Sequence, residues 1–137
     1  MDGSEARAHI TGTSFVLAVP DVARTAAWWI ETMGFTLRMQ PEGWRFVGRD
    51  GCTIMLGECP DAIPVADLGD HQYFGYIRLD DLDAYHAEIA GRGVDIMFGP
   101  VDRPWGMREM AVRTPDGHRV MFGQVLAGPQ APGGTGH

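Results

Sequence analysis

Apolar and polar positions along the chain predict a strand, a helix and three further strands. The first strand is an apolar run at Thr13–Val19. Asp21 then stands where a helix N-cap is expected, apolar residues follow at helical spacing, and Gly34 ends the helix. Runs of strand type separated by turn residues come next. These three runs are Phe35–Met39, Trp44–Val47 and Cys52–Leu56.

The same order of elements is predicted a second time, from Tyr73 onward. A strand at Tyr73–Leu79 precedes a helix that starts at about Asp81 and ends at the glycines near residue 91. Three strands complete the unit, at Val94–Phe98, Met107–Val112 and His118–Phe122. The Gly/Pro-rich segment Gly99–Gly106 is predicted to be a loop longer than its counterpart in the first unit.

Two pairs of similar short segments indicate that the chain contains a repeat. Asp116–Gly123 (DGHRVMFG) matches Asp50–Gly57 (DGCTIMLG), 66 residues earlier, and Phe74–Leu82 resembles Ser14–Val22, 60 residues earlier. Self-similarity of this length indicates two structural units in tandem. The expected organisation is a lead-in at 1–12, a first module at 13–57, a linker at 58–72, a second module at 73–124 and a disordered Gly/Pro-rich tail at 125–137.

Composition excludes several classes of function. The 137 residues carry a net charge of −7, which argues against nucleic acid as a partner because phosphate binding needs a basic surface. No lysine is present, so Schiff-base chemistry is excluded. The sequence has two cysteines, no signal-peptide pattern and no apolar run of membrane-spanning length, from which we expect a cytoplasmic protein that does not enter a membrane. The acidic residues are interpreted either as a solvated surface or as an attraction for a cationic ligand.

Three sequence segments resemble the vicinal oxygen chelate superfamily, also called the glyoxalase/bleomycin resistance/dioxygenase group. They are the strand that leads into Asp21-Val22, the segment Ile77–Tyr85 (IRLDDLDAY) and the segment TPDGHRVMFG that ends at Gly123. The resemblance spans about Thr13–Gln124. It implies an α+β fold in which two tandem β-α-β-β-β modules form a cup-shaped, partly open eight-stranded barrel. It also implies that dimerisation completes the cup.

The resemblance places the metal ligands of the superfamily at four positions that cannot bind a metal here. Metal-using members carry two histidines and two glutamates, whose positions correspond to Ser14, Met55, Phe74 and Met121. A hydroxyl, a phenyl ring and two thioethers cannot form the N/O coordination sphere that such metals need. We therefore expect no metal and no cofactor.

The combined interpretation is a metal-free small-molecule binding protein of the bleomycin-resistance type. It would sequester an aromatic or cationic antibiotic-like ligand in a cup at a homodimer interface. One alternative is a metal-free enzyme of specialised metabolism, isomerase- or lyase-like, with Glu109 or a histidine as its base. A second is a metal-dependent lyase or dioxygenase, which the four substitutions oppose.

Seven residues are predicted to line the ligand site. They are Trp44, Met55, Phe74, Tyr76, Trp105, Glu109 and Met121. Strand alternation directs Met55 and Met121 into the cup, although filling a core gap is an equally good interpretation of a methionine. Alternation also places Phe74 and Tyr76 on one face of their strand.

The remaining three candidates are each open to a structural interpretation. Trp105, in the predicted long loop, is either a lid or a loop anchor, and Trp44 either stacks on the ligand or packs in the core. Glu109 is interpreted as a general base, as a contact for a cationic ligand, or as the ion-pair partner of an arginine such as Arg119.

Overall fold

The computed structural model describes residues 12–62 and 73–126, together with His9 and Asp67. Within these ranges the chain forms eight strands and two helices. They are β1 (Phe15–Val19), α1 (Val22–Glu31), β2 (Thr36–Met39), β3 (Trp44–Arg49), β4 (Cys52–Glu58), β5 (Tyr73–Arg78), α2 (Leu82–Ala90), β6 (Asp95–Arg103), β7 (Met107–Arg113) and β8 (Arg119–Val125). Most of the predicted lead-in, much of the predicted linker and the tail beyond Leu126 lie outside the described residues.

The strands form two four-stranded sheets with the same topology. The first sheet has the order β1-β4-β3-β2 and the second sheet the order β5-β8-β7-β6. In each sheet the strand before the helix pairs in parallel with the last strand of the unit, and the other pairs are antiparallel. Among the described strands no ladder joins the two sheets, so the arrangement is an open cup rather than a closed barrel. The predicted α+β fold of two β-α-β-β-β modules is confirmed.

Both helices begin at the aspartates that the sequence indicated. The Asp21 side chain accepts a hydrogen bond from the Arg24 backbone N–H at 3.1 Å, and the Asp81 side chain accepts one from the Ala84 N–H at 3.0 Å. Each bond satisfies one backbone donor that the first helical turn leaves free. No helix in the described part of the chain is long and apolar enough to span a membrane.

One apolar core connects the two units. Each helix covers one face of its own sheet, here called the inner face, and the opposite face is called the outer face. Trp29 of α1 is fully buried, with its ring centroid 4.9 Å from that of Phe35 and 6.1 Å from that of Phe74 in the second unit. The Tyr85 hydroxyl of α2 donates to the Met33 carbonyl at 2.8 Å. The two modules therefore fold against each other as one body.

The prediction of a long loop at Gly99–Gly106 is wrong. β6 continues to Arg103, and only residues 104–106 form the turn into β7. The register of β6 on β7 shifts between Ile96 and Phe98 and again between Phe98 and Val101. The extra residues are therefore absorbed as irregularities within the strand, where Gly99 adopts a φ of 89° that favours glycine. Trp105 consequently lies in a short turn.

Candidate ligand-binding site

The outer face of the second sheet brings three predicted site residues together. Val120 and Phe122 of β8 are buried on the inner face, so the intervening Met121 belongs to the outer face. Met121 is opposite Tyr76 on β5, and Glu109 of β7 is opposite Gly123, two residues further along β8. Tyr76, Glu109 and Met121 therefore share one surface.

Glu109 is a buried carboxylate that accepts three hydrogen bonds on this surface. Only 4% of the residue is exposed. Its Oε2 accepts from the Tyr76 hydroxyl at 2.8 Å and from the Trp105 indole N–H at 3.2 Å, and its Oε1 accepts from Arg103 Nε at 3.3 Å. Burial of a carboxylate is tolerated when donors of this kind replace water. We call these four residues the Glu109 cluster.

The ion-pair partner of Glu109 is Arg103, and the prediction of Arg119 is wrong. Arg119 is opposite Arg113 at the other end of the β7–β8 ladder, whereas Glu109 is opposite Gly123. Four residues of extended strand separate the two positions on β8, too far for a direct pair. The Arg119 guanidinium lies instead over the Tyr73 ring, 5.7 Å from its centroid.

The Glu109 cluster presents the rings of Tyr76 and Trp105 to solvent. Tyr76 is 41% exposed and Trp105 52% exposed, although their polar atoms point to Glu109. Burial and the hydrogen bond to Glu109 raise the pKa of Tyr76 to about 12. The phenol therefore stays protonated at neutral pH and acts as a donor, which is unsuited to proton abstraction.

A glycine at the same position of each repeat lies beneath an aromatic side chain. A Cβ added to Gly123 would lie 2.7 Å from Cε1 of Tyr76 and closer still to its hydroxyl, so the ring can cross β8 only at a glycine. In the first sheet a Cβ on Gly57 would lie 3.0 Å from the Trp44 ring. Gly57 and Gly123 are the closing glycines of the two matching segments noted above. The repeat thus places one ring on each outer face.

The outer face of the first sheet holds two further predicted residues. Met55 is opposite Phe46 on β3 and opposite Val16 on β1. Trp44 is on the same face as Phe46, and their rings meet edge to face with centroids 6.0 Å apart. Trp44 and Met55 therefore contribute to an apolar surface, and their contact with a ligand stays a prediction.

Phe74 does not belong to either outer face. The register of β5 on β8 shifts between Tyr73 and Gly75, and this irregularity interrupts the alternation on which the prediction depended. The Phe74 ring packs on the inner side, 5.6 Å from Phe15 and 6.1 Å from Trp29. The prediction that Phe74 shares one face of β5 with Tyr76 is wrong, and contact of Phe74 with a ligand stays a prediction.

The metal-ligand positions of the superfamily do not converge on a donor set here. Phe74 is partly buried and packs against the core, and Ser14 precedes β1. Within the described ranges no group of three or more His, Cys, Asp or Glu side chains is placed to hold a metal ion. The residues present therefore do not fit the family metal, and the metal-free state stays a prediction for metal analysis.

A cavity of about 500 Å³ lies where the two modules meet. Its walls are the β3–β4 hairpin, the end of β5 and one side of α2, and the Arg49–Glu88 ion pair (2.7 Å) lies among its lining residues. The hydrogen bond from Arg49 lowers the pKa of Glu88. Among the seven predicted site residues Tyr76 alone lines this cavity. The cavity arises from packing between units, which no local pattern in the sequence could indicate.

His118 links the second hairpin to the core and is expected to make the free energy of unfolding pH-dependent. Its ring lies edge-on to Phe74 with centroids 6.1 Å apart, and burial lowers its pKa below the ordinary 6.5. Below pH 6.5 the unfolded state therefore binds more protons than the folded state, so the free energy of unfolding falls until the folded pKa is passed. We expect urea unfolding to show this loss on acidification from pH 7, and His118→Gln to reduce its slope. An equal slope in the variant would contradict the assignment.

The sequence belongs to a known superfamily. The profile of the Glyoxalase/Bleomycin resistance protein/Dioxygenase superfamily matches residues 8–122, so the chain is a member of that superfamily. No curated protein matches the sequence significantly.

Solved structures of the same fold include antibiotic-binding proteins. TnmS3, an antibiotic-binding protein from Streptomyces sp. CB03234, is 28% identical over 85% of this chain and 99% of its own, with a TM-score of 0.65. The bleomycin-binding protein of Streptomyces verticillus, solved with copper(II)-bleomycin, is 26% identical over 90% of this chain and 100% of its own, with a TM-score of 0.68. A bleomycin resistance determinant encoded on the transposon Tn5 is 24% identical over 84% of this chain and 98% of its own. Its TM-score of 0.71 shows the shared fold.

Proposed function

We propose that the protein is a cytoplasmic, metal-free binding protein that sequesters an antibiotic-like molecule on the outer faces of its sheets. The observation that carries the proposal is the Glu109 cluster, which holds two aromatic side chains in fixed orientation on a surface open to solvent. Two relatives above 25% identity bind antibiotics, and this supports the same class of ligand for this chain.

Stacking on fixed rings is the proposed mode of binding. The indole N–H of Trp105 is fixed to Glu109 while half of the side chain remains exposed, so the ring loses little conformational freedom when a ligand covers it. Trp44 on the first sheet offers a second ring, which lies across Gly57. Aromatic pairs of this kind contribute about 0.5–1.5 kcal/mol each beyond the area they bury.

A second copy of the chain is proposed to close the cup. Exposed apolar side chains mark both outer faces, with Val16 (61% exposed) and Met39 on the first sheet and Val101 and Val125 on the second. Exposed apolar surface of this kind is typical of interaction sites. We expect a homodimer in light scattering with the ligand in a groove between the subunits, and a monomer would contradict this part of the proposal.

The enzymatic alternative with Glu109 as base receives no support from the geometry. Both carboxylate oxygens already accept hydrogen bonds, and neither is open to a substrate proton. Product analysis separates the two functions, because a sequestering protein returns its ligand unchanged.

Binding should be measured by calorimetry with bleomycin, with and without copper, and with planar aromatic antibiotics. We expect saturable binding to at least one compound without turnover, and about tenfold weaker binding to Trp105→Ala because one stacking contact is lost. Trp105→Phe keeps a ring at this place and should recover part of the affinity. Failure of every compound to bind would contradict sequestration, and stoichiometric metal in protein purified without chelators would overturn the metal-free proposal.

A further inference from the structure

We infer that Glu109 is a positioning residue for Tyr76 and Trp105, and that the surface they form takes a planar aromatic group without positive charge. The inference rests on the proposed function and narrows its ligand class. A free carboxylate on a binding surface would indicate a cationic ligand, but the surroundings of Glu109 indicate the opposite.

The negative charge of Glu109 is already compensated within the protein. Arg103 Nε lies 3.3 Å from Oε1, and the two neutral donors occupy Oε2. With 4% of the residue exposed, little of the carboxylate is accessible to an incoming ammonium or guanidinium group. A cationic ligand would have to displace a donor that the chain itself supplies, and leaving that donor unpaired is costly.

The protein also supplies a cation to the Trp105 ring. The Arg103 guanidinium lies 5.8 Å from the centroid of the Trp105 ring and 5.1 Å from that of Phe98. Both distances are within the range of a cation–π contact. A positively charged ligand would meet the like charge of Arg103 at this place. A neutral or anionic planar group would instead stack on Trp105 and gain from the guanidinium beside it.

Packing beneath Tyr76 completes the positioning. The ring crosses β8 at Gly123, and its hydroxyl reaches Glu109 on the next strand. Two features therefore position Tyr76: Gly123 leaves room for its ring, and Glu109 accepts a hydrogen bond from its hydroxyl. Glu109 connects this ring to Trp105 through a shared oxygen atom, so a change at Glu109 affects both rings.

A titration without any ligand tests the positioning role. In Glu109→Gln the charge beside the Tyr76 hydroxyl is removed, so the pKa of Tyr76 should fall below about 12, while burial of the phenol, the largest cause of the shift, keeps it above 10.0. Near-ultraviolet absorbance follows the tyrosines, and Tyr76→Phe identifies the step that belongs to Tyr76. Glu109→Ala should also lower the pKa of Tyr76. The two variants differ in ring orientation: Glu109→Gln should keep it, because the amide oxygen still accepts from the Tyr76 hydroxyl and the Trp105 N–H, and Glu109→Ala should not. An unchanged tyrosine titration in Glu109→Gln would overturn the positioning role whether or not an antibiotic binds.

Ring probes of equal shape and different charge test the ligand class. Naphthalene-2-carboxylate, 2-naphthol and 2-naphthylmethylammonium should be titrated into the wild-type protein. We expect the ammonium probe to bind roughly fivefold more weakly than the other two, since it opposes Arg103. Arg103→Gln should remove this difference, and the charge-preserving Arg103→Lys should keep it.

Preferred binding of the ammonium probe, or no binding of any ring probe, would overturn the assigned ligand class. Neither result would bear on whether the larger antibiotics bind, which the calorimetric panel decides separately. The two proposals can therefore fail independently.

Discussion

Asp116→Asn is expected to lower the free energy of unfolding by about 2 kcal/mol, because a buried charged acceptor is lost. The Asp116 carboxylate lies in the β7–β8 turn and reaches α1 of the other module. Oδ1 accepts from Arg24 Nη2 at 2.6 Å, and Oδ2 accepts a short hydrogen bond from the Thr25 hydroxyl. The side chain of Asp116 is 4% exposed and Thr25 is 1% exposed, so water cannot replace the bond between them, whereas the Arg24 guanidinium is 57% exposed and can be solvated. Urea unfolding followed by circular dichroism measures the difference.

The repeat supplies a matched control for this change. Asp50 is at the same place in the first matching segment, but its side chain has no hydrogen bond or ion pair among the described residues. Its φ of 50° is one that asparagine tolerates well, so Asp50→Asn should change stability by less than about 0.5 kcal/mol. Equal effects of the two variants would show that the contact between the modules contributes little.

Local patterns predicted the elements that depend on local interactions. Asp21 and Asp81 cap their helices because an N-cap needs only a short acceptor and the following backbone N–H groups. Trp29 is fully buried, since its spacing along the sequence places it on the apolar face of α1. The positions of Met55 and Met121 on the outer faces follow from strand alternation in regular ladders.

The errors lie where the strands are irregular. Phe74 turned inward because β5 has an irregularity at this residue, and a one-residue slip exchanges the two faces of a strand. The loop expected at Gly99–Gly106 became strand because two register shifts absorb the extra residues. The partner of Glu109 was missed for the same reason, since only the true course of β6 brings Arg103 and the Trp105 turn over β7. The sequence contains Gly99 as the one local signal of this irregularity.

The two repeats share a backbone plan but differ in how each fills its outer face. Gly57 and Gly123 are both crossed by a ring, yet the ring comes from β3 in the first sheet and from β5 in the second. The residue opposite Gly57 is Trp44 itself, whereas the residue opposite Gly123 is Glu109. With a carboxylate rather than a ring opposite Gly123, Tyr76 crosses the glycine and donates to that carboxylate. The asymmetry gives one wall a pair of rings, with the Arg38 guanidinium over Gly48 beside them, and the other wall a buried polar anchor.

Gly123→Ala is expected to destabilise the protein by about 2 kcal/mol and to weaken ligand binding, because the added methyl group takes the space of the Tyr76 ring. The ring must leave Glu109, so the pKa of Tyr76 should fall from about 12 toward 10.0 in the same variant. Gly57→Ala meets the Trp44 ring at 3.0 Å and should have a smaller effect, and Gly91→Ala meets nothing within 4 Å and should be neutral. Urea unfolding and tyrosine titration of the three variants measure this order. If Gly123→Ala kept both the stability and the high pKa of Tyr76, the Tyr76 ring would not cross β8 at this residue. The Glu109 cluster would then lack the packing on Gly123 that positions the Tyr76 ring.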